Sequence, residues 1–126
     1  MTNQDFHACI AACNACADAC DQCAATCLQE TNVQAMARCI ALDIDCAQIC
    51  RMASAYMARN SELANYLCKF CEEVCEACGE ECARHQSAHC QRCATACRSC
   101  AEECRRMAVK MPGATATQRA EQRQAH

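Results

Sequence analysis

The stretch CIAACNACADACDQCAATC places six thiols, Cys9, Cys13, Cys16, Cys20, Cys23 and Cys27, at intervals of 4, 3, 4, 3 and 4 residues. Two further rows follow the same rule: Cys68, Cys71, Cys75, Cys78 and Cys82 in CKFCEEVCEACGEEC, and Cys90, Cys93, Cys97, Cys100 and Cys104 in CQRCATACRSCAEEC. A sparser set, Cys39, Cys46 and Cys50, lies between them in CIALDIDCAQIC, bringing the total to 19 in 126 residues. Three kinds of chemistry suit so many thiols: disulfide bonding, thiol redox exchange and the binding of soft metals. A protonated Cys is also a small hydrophobe that cores accept. Leu or Ile would bury more apolar area at every one of these positions, so packing alone does not explain three near-unbroken rows.

A secreted disulfide scaffold is disfavoured. Such scaffolds are loop-rich, whereas these cysteines stand at helical spacing, and 19 is an odd number. MTNQDFHACIAAC has neither the basic nor the apolar stretch of an export signal, so the expectation is a reduced, cytoplasmic protein. A thiol redox enzyme would carry Cys-x-x-Cys near a βαβ pattern, but here the pairs run through helix interiors and no catalytic base or nucleotide loop is evident. The expectation is therefore a store and not an enzyme.

Soft thiolates bind Cu(I), zinc and iron–sulfur clusters. Pairs spaced three or four residues apart on a helix lie about 5–6 Å apart at Cβ, close enough to share one ion. Zinc takes four ligands in a tetrahedron, and four unshared thiolates leave that site doubly negative, which is costly in a dry core. One Cu(I) per thiolate leaves the core neutral. Multiple Cu(I) ions, on the order of one per Cys, are therefore the expected cargo. A ferredoxin-like electron carrier, with clusters needing about four cysteines each, and a zinc-thiolate store are the alternatives.

The elements that position these thiols follow from the same spacing. Steps of 3 and 4 average 3.5 residues, the seam of helices packed at a shallow angle. Four such segments joined by short loops predict an all-α, up-down-up-down antiparallel four-helix bundle with a Cys-lined core. Two glycines and one proline are too few for an all-β chain. Asn32, Asn60 or Ser61, and Ser87 are the expected caps of the second, third and fourth helices, with Pro112-Gly113 as the stop of the fourth. The expected bundle domain is 1–111, and the polar stretch 112–126 is expected to be a disordered tail. The net charge of -3 and the lack of a basic stripe argue against nucleic acid, and no apolar run nears the roughly 20 residues that span a bilayer.

These residues resemble the cytosolic members of the copper storage protein family over about residues 4–110. CNACADACDQCAATC, CKFCEEVCEACGEEC and HCQRCATACRSCAEEC carry the resemblance, with MARCIALDIDCAQIC between them. It implies Cu(I) held inside a four-helix bundle, a homotetramer, and uptake through one end. A copper chaperone or acceptor is a possible partner, and the role is detoxification, supply, or both.

Extending the seams identifies the two ends. Phe6, Ala53, Met57, Met107 and Met111, with Tyr56, Leu63 and Tyr66 nearby, are expected to plug one. The other gathers Glu30, Met36, His85 and His89 among polar residues, and Met36, His85 and His89 are the candidate non-thiol ligands there. Asp43 occupies a seam position where a Cys is expected; it could meet metal, hydrogen-bond a thiol or turn outward. Ile40, Leu42, Ile44 and Ile49 give the second helix more apolar surface than one seam needs, suggesting a subunit interface. Gly79 suggests close helix packing, and the arginines of CRSCAEECRR a solvated face.

Overall fold

The computed structural model describes residues 5–110. Four helices, α1 (His7–Cys27), α2 (Ala37–Ala58), α3 (Ala64–Ala83) and α4 (Ala88–Ala108), follow one another with short connections, and one 3-10 turn (Val33–Met36) precedes α2. Among the described residues there is no strand. The pairs in contact are α1 with α2, α2 with α3, α3 with α4 and α4 with α1, which closes a square of antiparallel neighbours. No described helix is long and apolar enough to cross a membrane. The seam logic holds: every row of cysteines faces the axis, because 3.5-residue periodicity keeps one stripe of each helix turned to its partners.

The helix ends correct the expected caps. Asn60 terminates α2 instead of starting α3: it sits at φ 54, a left-handed conformation that Asn tolerates. Its N–H reaches the Met57 carbonyl at 2.9 Å and that of Ser61 reaches Tyr56 at 3.0 Å, the paired bonds that satisfy the last carbonyls of a helix. Ser61 accepts from the Leu63 N–H with its hydroxyl, one turn ahead of α3. Asn32 leads into the 3-10 turn and makes no side-chain cap. Ser87 occupies the first position before α4, yet its hydroxyl donates to Glu30 across the bundle end instead of accepting from α4. Ile49 is also corrected: it packs into this chain's own core, whereas Ile44 is about half exposed and Ile40 and Leu42 lie partly buried against the core. α4 ends at Ala108, before Pro112-Gly113; that pair, Met111 and the 112–126 tail lie outside the described residues.

Gly79 marks a close approach of α3 and α4. A Cβ added there would lie 3.2 Å from the Cys97 Cβ, closer than ordinary van der Waals contact, so a side chain at 79 would push α3 and α4 apart by a few tenths of an ångström. Outside the core, Arg105 of α4 reaches Glu72 at 2.9 Å and Glu76 at 2.8 Å on α3, and Arg51 of α2 reaches Asp18 and Asp21 on α1. Glu72 is buried, but the other pairs are exposed and contribute only about 0–1 kcal/mol each, so register is set by the core.

Candidate metal centre

All 19 thiols are free and buried, 18 of them completely. They form a continuous column in which each layer touches the next. Near the first turn of α1, Cys9 lies 3.7 Å from Cys104. Cys13 and Cys100 follow at 3.6 Å, and Cys50 and Cys71 at 3.6 Å. Cys16 then lies 3.7 Å from both Cys46 and Cys97, with Cys46 and Cys75 at 3.6 Å. Cys20 meets Cys93 at 3.5 Å and Cys78 at 4.0 Å. Cys39 meets Cys82 at 3.6 Å, and Cys23 meets Cys90 at 3.8 Å. Cys27 closes the column 3.9 Å from Cys90.

These sulfurs group into quartets whose members lie within 4.8 Å of one another, and the quartets overlap. Cys16 and Cys46 belong both to the set with Cys50 and Cys75 and to the set with Cys20 and Cys97; Cys20 and Cys97 recur with Cys78 and Cys93. Shared corners mean that one thiolate can bridge several ions. Isolated tetrahedral zinc sites keep their four ligands to themselves. The arrangement is that of a connected thiolate network for a soft, low-coordinate ion.

Asp43 is fully buried inside the column. Its Oδ1 accepts from the thiols of Cys78 at 3.2 Å, Cys93 at 3.3 Å and Cys82 at 3.4 Å, and Cys39 approaches its Oδ2 at 3.8 Å. Of the three dispositions open to it from sequence, hydrogen bonding to thiols is the one adopted. Burial, above all, lifts its carboxyl to about 10, so the acid is neutral at pH 7. Cys27 and Cys90, at the α1 C-terminal end, are held protonated in the same way. Burial, then the neighbouring Cys39, push Cys27 up to about 11, and Cys90 shifts in the same direction with the same leading cause. Unpaired thiolate charge is costly in so dry a core, so without metal the column is one of thiols in S–H···S contact.

The two ends differ as their compositions predict. At one, Phe6, Ala53, Met57, Ala64 and Met107 are buried, and the Asn65 amide, also buried, donates to the Met107 carbonyl at 2.6 Å. Leu63 and Tyr66 are about half exposed and stand outside this plug. The other end carries buried Met36, and His89 with its Nε2 3.5 Å from Cys27 Sγ and 3.3 Å from the Glu30 carboxylate. Glu30 also receives the Ser87 hydroxyl at 2.9 Å. His85 is not brought to a thiol: its Nε2 pairs with Glu81 at 2.8 Å. The His85 ring, and then Arg38, hold the Glu81 carboxyl below the usual range.

Sequence reading did not single out Glu81 or Asn65. Both lie one position off the cysteine seam (Glu81 before Cys82, Asn65 after Ala64, the seam position four residues before Cys68), where the 3.5 period assigns no core place.

Residues 2–109 match the model of the family described as "Copper storage protein". The chain is 46% identical over 83 residues, 66% of its length and 77% of the other's, to the uncharacterized cysteine-rich protein YhjQ of Bacillus subtilis. Among solved structures it is similar to the Cu(I)-bound copper storage protein BsCsp3 of Bacillus subtilis, with a TM-score of 0.80 and 46% identity, covering 83% of this chain and 99% of that one. It is also similar to a cytosolic copper storage protein from Streptomyces lividans, solved with five coppers, with a TM-score of 0.80 and 39% identity over 82% of this chain and 92% of that one.

Proposed function

The chain belongs to the copper storage protein family, and from that premise we propose that it takes up many Cu(I) ions as thiolates and holds them in its bundle core. The observation that carries this reading is the overlap of the thiol quartets. It lets each sulfur bridge metals, so that ions approach one per thiolate and the filled core stays neutral. All 19 cysteines serve as ligands. The protein is a store for detoxification, supply or both, and not an enzyme. The cytosolic relative from Streptomyces lividans supports a cytoplasmic location.

Uptake is assigned to the end bearing Met36, His85 and His89. His89, 3.5 Å from Cys27, is placed to pass an ion inward by ligand exchange. Met36 offers a buried thioether, and His85 reaches metal on leaving Glu81. A homotetramer, and exchange with a copper chaperone or acceptor, complete the proposal.

The test is metal choice. Reduced protein is equilibrated anaerobically with Cu(I), with Zn(II), or with iron and sulfide, desalted and analysed for metal. The expected outcome is high retention of copper with colourless protein and acid release on loading. A brown product retaining iron, or preferential zinc retention at one ion per four thiols, would replace this reading.

A further inference from the structure

The thiol column does not end in cysteine at its closed end. The Cys68 thiol, fully buried, donates to the thioether sulfur of Met57 at 3.6 Å, and Met57 is itself only 2% exposed. The thiols of Cys104 and Cys9 also neighbour Cys68. We propose that Met57 is a copper ligand, its thioether and the Cys68 thiolate together holding a Cu(I) ion at the closed end of the core. The proposal rests on the storage reading and adds a site that the seam of cysteines does not reveal.

Three physical points support it. An S–H···S bond places the Met57 lone pair where the proton of Cys68 now lies. A metal that replaces the proton arrives where a second donor already points. The step balances simply: Cu(I) binds the Cys68 sulfur, one proton leaves to solvent, and the thioether donates a lone pair without losing its methyl group or changing oxidation state. Next, the 3.6 Å separation is within the span of two metal–sulfur bonds of about 2.3 Å. Finally, an interior thiolate has metals on both sides, whereas one at the end of the column has them on one side only. A donor without charge completes an end ion and leaves one thiolate per copper, so the buried end stays neutral. Phe6 and Met107 then seal the site from water.

The experiment uses selenomethionine protein, parent and Met57→Leu, loaded anaerobically with Cu(I). Leu is close in volume to Met, and such swaps usually leave a core folded. Selenium-edge X-ray absorption of the loaded parent is expected to show copper at bonded distance, absent before loading. In Met57→Leu that copper signal should fall sharply. Equal copper signals in the two proteins, or only carbon around selenium in a copper-filled parent, would overturn the assignment and leave the storage reading standing. If the parent takes up no copper at all, both fall. Should Met57→Leu not fold, a Met36→Leu/Met107→Leu protein serves instead. It must keep the selenium–copper contact, and its loss there would overturn the proposal.

Discussion

Asp43 is where the thiol rows are interrupted, and its chemistry has a measurable consequence. In the folded chain the carboxyl keeps its proton up to about 10, whereas in the unfolded chain it loses it near ~4. Between those values the folded state binds the extra proton. The stability associated with this group is therefore fully present below about 4 and drains away as pH rises through 10. Asn has the same shape and does not titrate. In metal-free, reduced protein, Asp43→Asn should thus gain stability relative to the parent as pH rises from the acidic range towards 10. Urea midpoints across that range check it, and a pH-independent difference would count against a buried neutral Asp43. The position of Asp43 in the seam was legible in the sequence, but its partners were not. Periodicity tells which face a residue takes; it does not tell which of three helices supplies the neighbouring donors. The same limit applies to His85: its placement at the polar end was readable, while its capture by Glu81 depends on the geometry of one helical turn.

At the scale of elements, the bundle was legible because 3.5-residue periodicity is a statement about packing, and α1, α2, α3 and α4 each follow it. The caps were less so. Asn60 suits a helix start by residue type, yet its tolerance of φ 54 makes it a helix stop. Close approach between α3 and α4 can be tested through Gly79→Ala. Overpacking against Cys97 Cβ costs about 1–3 kcal/mol, and Ala in place of Gly returns up to about 1 kcal/mol of helix propensity. A net loss of about 1 kcal/mol is expected in denaturant unfolding, because the opposing atom is a Cβ fixed to its helix and not a flexible tip. The polar helix ends carry a kinetic prediction. Replacing Met36, His85 and His89 together with Ala should change the rate at which a chelator removes copper more than the total bound. Parent-like exchange in that variant, with altered exchange in Met107→Ala, would place uptake at the other end.

At the scale of the whole molecule, surface hydrophobicity is uneven. Ile44, Met52, Phe70 and Tyr66 are each about half exposed on α2 and α3. Apolar side chains so placed favour self-association, most simply into a closed symmetric assembly. Sedimentation at micromolar concentration should show a species heavier than 13.8 kDa, and a lone monomer would contradict this. The sequence pointed to α2 as the contact face, but it included Ile49, which the fold buries for itself, because the 3.5-residue seam does not mark the flanking positions that neighbouring helices also cover. Because thiolate charge is costly in a dry core, the metal-free, reduced protein should keep its helices, unlike zinc fingers, which unfold when stripped; a far-UV spectrum showing mostly coil would contradict this.

The measurement that bears most directly on a connected thiolate store is the number of Cu(I) ions retained per chain at saturation, under anaerobic conditions and against a competing chelator. Overlapping quartets and charge neutrality predict retention on the order of one copper per cysteine, about nineteen per chain. Saturation near four or five ions, about one per four thiols, with every thiol then protected from alkylation, would contradict the account.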